Sequence, residues 1–535
     1  MGNSIDHGSQ RSTIREMLLW CAPALAVGFF LRALLTWALP YGYIQFDSID
    51  FLETPYYLIA KHQWVVQSKR SFLVPLTYTF PFLLHLPALI FIPLGQHFLG
   101  LVQIVMTGAI VRFWFAKWRW FLIPVTLMIA ISPWLLWYEH ALMGEAEYVF
   151  LLIAVAFTGT LWARDPRPKR FALFWLALFL CASSRGEGKL FLLFGVLVVP
   201  LVLWRERRRM LVHFAISAVL ALVLFKAIRS PSNASTNLYA SLLHYAPDHF
   251  KSDPDIEPYL APIRDKVKAQ NLAYPADSVQ VAKRIQDGID DYMAKKMPDA
   301  STKNRRRAGA KILNRLSVQI LRDHPLEVFG LPLVKWRLAV DSWMSGDFDD
   351  HFLHEKQKYS FKRDPWVGAD LGKGLVGRNM SAAEVDRFID EHYDAHRTRW
   401  FSKLAHAWNK ALIAVRTPDH PMPQPPNIEK EREPRKRWVH DYIGGVKGGR
   451  TMIPGVPFFY IIALGGMLLA IFRRSPLREA QLAWAITLLI AWYAVLMVGD
   501  TIARYSFAYQ PFCVVFFFAF FDFVAARIGK QPAAN

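Results

Sequence analysis

The sequence predicts an all-α protein that crosses a membrane about ten times. Hydrophobic residues make up 53% of the 535 positions, which is typical of a polytopic membrane protein. Apolar segments of near membrane length follow one another, and the short links between them alternate in character. One set of links carries most of the arginine and lysine, and the other carries isolated acidic, histidine and arginine residues. This pattern does not fit a soluble enzyme.

The net charge of +20 is explained by topology and by contact with anionic lipid headgroups. Most basic links lie beside apolar spans, so we expect membrane lipids rather than nucleic acid as partners. The three cysteines, Cys21, Cys181 and Cys513, lie in separate apolar segments. They offer neither a disulfide framework nor a metal-ligand spacing.

The basic links near 112–119, 164–170, 205–209, 473–478 and 527–530 mark the cytoplasmic face by the positive-inside rule. The first span is interpreted as a retained signal-anchor, because no small-residue cleavage site follows it. The links that alternate with the basic ones then face outward. We number them as outer links one to four, marked by residues 46–70, 139–147, 185–189 and 499–505. We predict the spans at 17–39, 97–116, 120–138, 146–163, 171–184, 189–204, 211–228, 452–472, 480–498 and 506–524.

Residues 71–94 are apolar enough to cross the membrane, but a proline recurs every six residues, at Pro75, Pro81, Pro87 and Pro93. Proline breaks a continuous helix. A crossing here would also invert every later link. We therefore expect broken interfacial or re-entrant helices on the outer side, within the first outer link.

Hydropathy falls between 229 and 450, which predicts a soluble, mainly helical extracytoplasmic insert. Helical stretches are expected near 278–297, 303–323 and 381–415, and the tryptophans suggest an ordered domain. The predicted organisation is a membrane module at 1–228, the insert at 229–450 and the last membrane helices at 451–535.

The first outer link carries three carboxylates, Asp47, Asp50 and Glu53, followed by Tyr57 and Arg70. On a helix the i, i+3 spacing would place the carboxylates at neighbouring points of one face. Like charges this close raise one another's pKa, which suits a general base or a metal site. No ligand motif supports the metal. A solvated amphipathic loop is the other interpretation. Asp47 and Asp50 are the catalytic candidates, and Glu53, Tyr57 and Arg70 are candidates for binding substrate.

The second outer link packs three carboxylates and an imidazole between two spans. His140 and Glu145 are candidates for holding an acceptor hydroxyl or a donor sugar. For Glu139 and Glu147 we favour a role in fixing membrane depth.

Three cations of the third and fourth outer links, Arg185, Lys189 and Arg504, break the positive-inside pattern. A cation on this face needs a partner, and phosphate matches the planar fork of arginine best. Structural pairing with Glu187 or Asp500 is the other interpretation.

The order of these motifs resembles the GT-C glycosyltransferases, and among them the mannosyltransferases of glycosyltransferase family 22. An early aspartate is followed by tyrosines and by Arg70-Ser71-Phe72-Leu73-Val74-Pro75. The run Asp500-Thr-Ile-Ala-Arg504-Tyr505 with Pro511 resembles the Arg-Tyr…Pro element of bacterial relatives similar to lipid A aminoarabinose transferase. The likeness covers 17–228 and 452–524 but not the insert. Gln45-Phe46 stand where family 22 has His-Pro, and Ser48 replaces its Glu.

The resemblance implies sugar transfer from a polyprenyl-phosphate donor to a glycan, lipid or protein acceptor at the outer face of the plasma membrane. It implies Asp47 as general base, with Asp50 next, and phosphate contacts from Arg504 with Arg185 or Lys189. Tyr505 belongs to the same element, and residues 71–94 would edge the groove for the lipid tail. Two interpretations stay open beside it: a lipid-linked-sugar flippase or transporter, and a transferase similar to O-antigen ligases that uses a diphosphate donor.

Overall fold

The computed structural model confirms the predicted all-α class. No strand occurs among the residues it describes, where an isolated bridge pairs Tyr43 with Ala141. The described residues are 7–44, 46–63, 71–204, 206–228, 234–245, 254–270, 275–325, 332, 371–392, 397, 399–401, 403–405, 407–408, 458–470, 477–498 and 507–528.

Nineteen α-helices are described here in chain order, and two 3₁₀ helices, Gly186–Phe191 and Phe507–Tyr509, lie among them. The α-helices are α1 His7–Ala38, α2 Phe46–Lys61, α3 Leu73–Leu83, α4 Ala88–Trp114, α5 Trp118–Ile131, α6 Pro133–His140, α7 Glu145–Arg164, α8 Pro168–Ser184, α9 Leu192–Leu203, α10 Arg207–Ala227, α11 Ala234–Tyr245, α12 Glu257–Gln270, α13 Pro275–Lys296, α14 Thr302–Asp323, α15 Leu371–Val376, α16 Ala382–Glu391, α17 Phe458–Leu469, α18 Arg478–Val498 and α19 Gln510–Ile528.

Each of the ten predicted spans contains a helix of the described structure. Seven described helices are long and apolar enough to cross a membrane, and α5 with α6, bent by 45°, makes an eighth. The helices at the other two positions, α8 and α17, are shorter, with 17 and 12 residues. Helix α10 exposes apolar side chains on most of its surface, as expected of a helix that faces lipid.

The proline-rich segment is broken, as predicted, but the break is more local than the sequence suggested. Helix α3 ends at Leu83, and α4 already begins at Ala88 rather than at 97. Pro93 lies inside α4 and has no N–H to give to the carbonyl of Leu89. That carbonyl instead accepts the N–H of Gly42 at 2.6 Å, so the proline provides an attachment point for the first outer link.

Most of the described insert forms two groups of helices, while Phe401 and Ala405 pack into the core shared with the predicted membrane spans. Helices α11 to α14 pack around their own core, which includes Tyr239, Ile285 and Leu316. Helices α15 and α16 instead join the core of the first outer link, where Phe388 meets Tyr41 with ring centroids 4.9 Å apart. The domain limits at 228 and 450 stay a prediction, because the chain on at least one side of each lies outside the described residues.

Candidate functional site

The three acidic residues of the first outer link lie on one helix, which is the condition under which their spacing predicts a shared face. Helix α2 begins at Phe46 and carries Asp47, Asp50 and Glu53. Glu53 is 8% exposed and Asp50 is half-buried, whereas the side chain of Asp47 lies outside the described part of the chain. Within the described residues, no group of three or more His, Cys, Asp or Glu side chains could hold a metal ion.

Helix α2 approaches the second outer link through apolar contacts. The rings of Phe51 on α2 and Tyr78 on α3 lie 6.1 Å apart. Both helices also face Gly144, the residue before α7: a Cβ there would lie 2.9 Å from Val74 and 3.5 Å from Phe51. A larger residue at 144 would therefore push α2 and α3 away from Glu145.

Glu145 and Arg185, predicted independently as substrate-binding residues, form an ion pair. Nη1 of Arg185 lies 2.7 Å from Oε1 of Glu145, which is 1% exposed. Nε of the same arginine lies 3.2 Å from Oε2 of Glu187, the partner expected under the structural interpretation. One cation thus faces two carboxylates. The predicted phosphate contact of Arg185 would have to share donors that already bind carboxylates.

Two tyrosines that the sequence reasoning did not select border this cluster. The guanidinium carbon of Arg185 lies 5.5 Å from the ring centre of Tyr148, which follows Glu145 at i+3 and so shares its helix face. Tyr509 belongs to the 3₁₀ helix after the fourth outer link, which packs beside α7. Its ring stacks against Trp492 at 5.7 Å.

Three predicted site residues lie outside the described residues: Arg70, Arg504 and Tyr505. Tyr57, which is described, has its ring centre 4.7 Å from Nζ of Lys61 on the same helix.

Lys189 has a structural partner. Its Nζ donates to the carbonyl of Phe225 at 3.2 Å and to that of Ile228. Carbonyls at a helix C-terminus lack partners within the helix, and a lysine there satisfies them. Lys189 therefore caps α10, and its phosphate contact stays a prediction.

His140 belongs to a separate buried network that starts at Arg32 in the first span. Nε and Nη2 of Arg32 donate to the carboxylate of Glu139 at 2.7 and 2.6 Å. Nδ1 of His97 lies 3.1 Å from the same carboxylate, and its Nε2 lies 3.1 Å from Nδ1 of His140. Glu139 is thus the counter-ion of Arg32, which corrects the interpretation that it only fixes membrane depth.

This network anchors the start of the first outer link. The carbonyl of His140 accepts the N–H of Tyr43 at 3.1 Å, and the carbonyl of Tyr43 accepts the N–H of Leu142 at 2.9 Å. Helix α2 begins three residues after Tyr43. The position of the carboxylate helix therefore depends on the network around Glu139.

No protein-family model matches the sequence, and no curated protein matches it. Among solved structures, the apo form of the oligosaccharyltransferase of Archaeoglobus fulgidus matches with a TM-score of 0.36 and 13% sequence identity. The match covers 96% of this chain and 51% of that chain, so this chain spans about half of its length. A TM-score this low supports no conclusion about fold or activity. The fold is described from the helices above.

Proposed function

We propose that this protein transfers a sugar from a polyprenyl-phosphate donor to a glycan, lipid or protein acceptor at the extracytoplasmic face of the plasma membrane. The cluster of Glu145, Arg185 and Glu187 supports the proposal most directly. The pair of Glu145 and Arg185 joins the second and third outer links at 2.7 Å, and the 3₁₀ helix after the fourth link packs beside α7. Buried ionisable residues that gather within a membrane bundle mark a functional site.

In this proposal the acceptor hydroxyl attacks the anomeric carbon with inversion, and polyprenyl phosphate leaves with the electrons of the broken bond. Asp47 takes the hydroxyl proton, with Asp50 as the next candidate, and Glu145 holds the acceptor. Arg504 is assigned the phosphate, because the donors of Arg185 already bind two carboxylates. Helix α3, which packs near α7, borders the groove for the lipid tail.

The test uses the full-length protein in lipid vesicles with a panel of hexose- and pentose-loaded polyprenyl phosphates, and with diphosphate donors as a comparison. We expect transfer from a monophosphate donor, and Asp47→Asn should lower its rate by roughly 10²–10⁴-fold without changing the melting temperature. Asp50→Asn is the matched control on the same helix face. If Asp50→Asn alone abolishes transfer, the base is one helical turn away. If neither variant loses rate, neither aspartate is the general base; if no donor supports transfer by the wild type, the transferase proposal is wrong.

A lipid-linked-sugar flippase or transporter is the second candidate, and one observation favours it. Transport sites lie on broken helices inside the membrane. The bent pair α5 and α6 carries Glu139, which is buried against Arg32 and His97. A flippase would move the labelled donor between leaflets without breaking its sugar–phosphate bond, so counting intact and cleaved donor in the same vesicles separates the candidates.

A further inference from the structure

The second outer link and the first turn of α7 contain three buried glutamates with different partners. Glu139 faces Arg32 and Glu145 faces Arg185, each within 2.7 Å. Glu147 is 7% exposed, and no ion pair reaches it from any residue in the described ranges. An ionised carboxylate buried without a cation is strongly disfavoured, so such a group keeps its proton.

The hydrogen bonds of Thr77 point to the same state. Its Oγ1 lies 2.8 Å from the carbonyl oxygen of Val74 and 2.7 Å from Oε1 of Glu147. Both are ordinary hydrogen-bond lengths, but a threonine hydroxyl has one proton to donate. Thr77 gives both atoms a full two-centre bond when it donates to Val74 and accepts from Glu147. In that arrangement Glu147 is a protonated acid.

The other ionisable groups near Glu147 cannot neutralise it. Tyr78 on α3 faces both Glu147 and Glu145, and all three are acids. The hydroxyl of Tyr78 accepts a bond from Nε2 of Gln96 at 2.9 Å. Among the described residues, Arg185 is the cation that pairs with a carboxylate of α7. It binds Glu145 and Glu187.

We propose that Glu147 carries a proton at neutral pH and acts as a positioning residue that fixes α3 on the first turn of α7. Its hydrogen bond to Thr77 joins two elements 70 residues apart in the chain. The proton also means that Glu147 adds no negative charge beside the cluster of Glu145, Arg185 and Glu187. That second consequence rests on the proposed function, because it matters only for an anionic donor.

Infrared difference spectroscopy of the full chain tests the proton directly, since protonated and ionised carboxyl groups absorb at separate frequencies. At neutral pH the wild type should show a protonated carboxyl band that Glu147→Gln removes. Glu187→Gln is the control, because Glu187 is paired with Arg185 and should contribute no such band. If Glu147→Gln leaves the protonated band intact, the proposal is wrong.

Melting temperatures provide the second arm, with matched variants in the same part of the chain. A glutamine amide can replace a neutral acid as donor to Thr77, so Glu147→Gln should melt as the wild type does. Glu139→Gln should melt lower, because it leaves the buried Arg32 without its anion. Glu147→Gln melting as low as Glu139→Gln would show that Glu147 is ionised and bound by a cation, and would overturn the proposal.

Neither measurement needs a donor, so both decide the protonation state whether or not the transferase proposal holds. Where transfer is observed, Glu147→Gln should keep kcat within about threefold of the wild type. A much larger loss at an unchanged melting temperature would show that the ionised form is the working one and would contradict the proposal.

Discussion

Replacing Arg32 by methionine should lower the free energy of unfolding by about 3–5 kcal/mol, because it leaves Glu139 as a buried charge without its main partner. The structure supports a value in this range. The two side chains are 4% and 1% exposed, and two hydrogen bonds of 2.6 and 2.7 Å join them. His97, 3.1 Å from the carboxylate, is the one other ionisable group that contacts Glu139 among the described residues.

Unfolding in mixed detergent micelles, followed by tryptophan fluorescence, measures this difference. The matched control is Arg119→Met, which breaks the exposed pair Arg119–Glu16, with side chains 61% and 36% exposed. Exposed pairs contribute about 0–1 kcal/mol. The double variant Arg32→Met/Glu139→Leu should recover much of the loss, because it removes the stranded charge. If Arg32→Met costs no more than Arg119→Met, the network does not stabilise the fold.

Gly100→Ala perturbs the same pair without changing any charge. A Cβ at position 100 would lie 2.1 Å from Oε1 of Glu139, so the carboxylate would have to move away from Arg32. We expect Gly100→Ala to lower the free energy of unfolding, as Arg32→Met does. The double variant should lose little more than Arg32→Met alone.

The remaining predictions concern topology and the phosphate. Reporters fused within 250–420 should score as extracytoplasmic and those at 165 or 206 as cytoplasmic, whereas a cytoplasmic insert would place the proposed site on the wrong face. Arg504→Ala should weaken donor binding by a few kcal/mol at most, and Arg504→Lys should impair transfer because the bidentate geometry is lost. If Arg504 instead pairs with Asp500, Arg504→Ala should lower the melting temperature, and adding Asp500→Ala should restore much of it. Unchanged donor affinity in Arg504→Ala would remove this residue from the site.

Several features of the site followed from local sequence. The i, i+3 spacing of Asp47, Asp50 and Glu53 predicted neighbouring positions on one face if the segment were helical, and the segment is helical. Glu145 and Arg185 were both chosen as site candidates because they are charged residues on the predicted outer face. In the structure they form an ion pair. The separate selection of both partners could not show that each is the other's counter-ion.

The sequence by itself determined the membrane class and the positions of the helices, because hydropathy and proline act over a few residues. It also indicated which links collect isolated charges. Only the tertiary structure decided how those charges are compensated. Arg32 and Glu139 are 107 residues apart, and Thr77 and Glu147 are 70 apart. A buried charge is stabilised by the side chain that lies about 3 Å away in the folded protein. Because that partner can come from a distant part of the sequence, a local sequence pattern does not predict it.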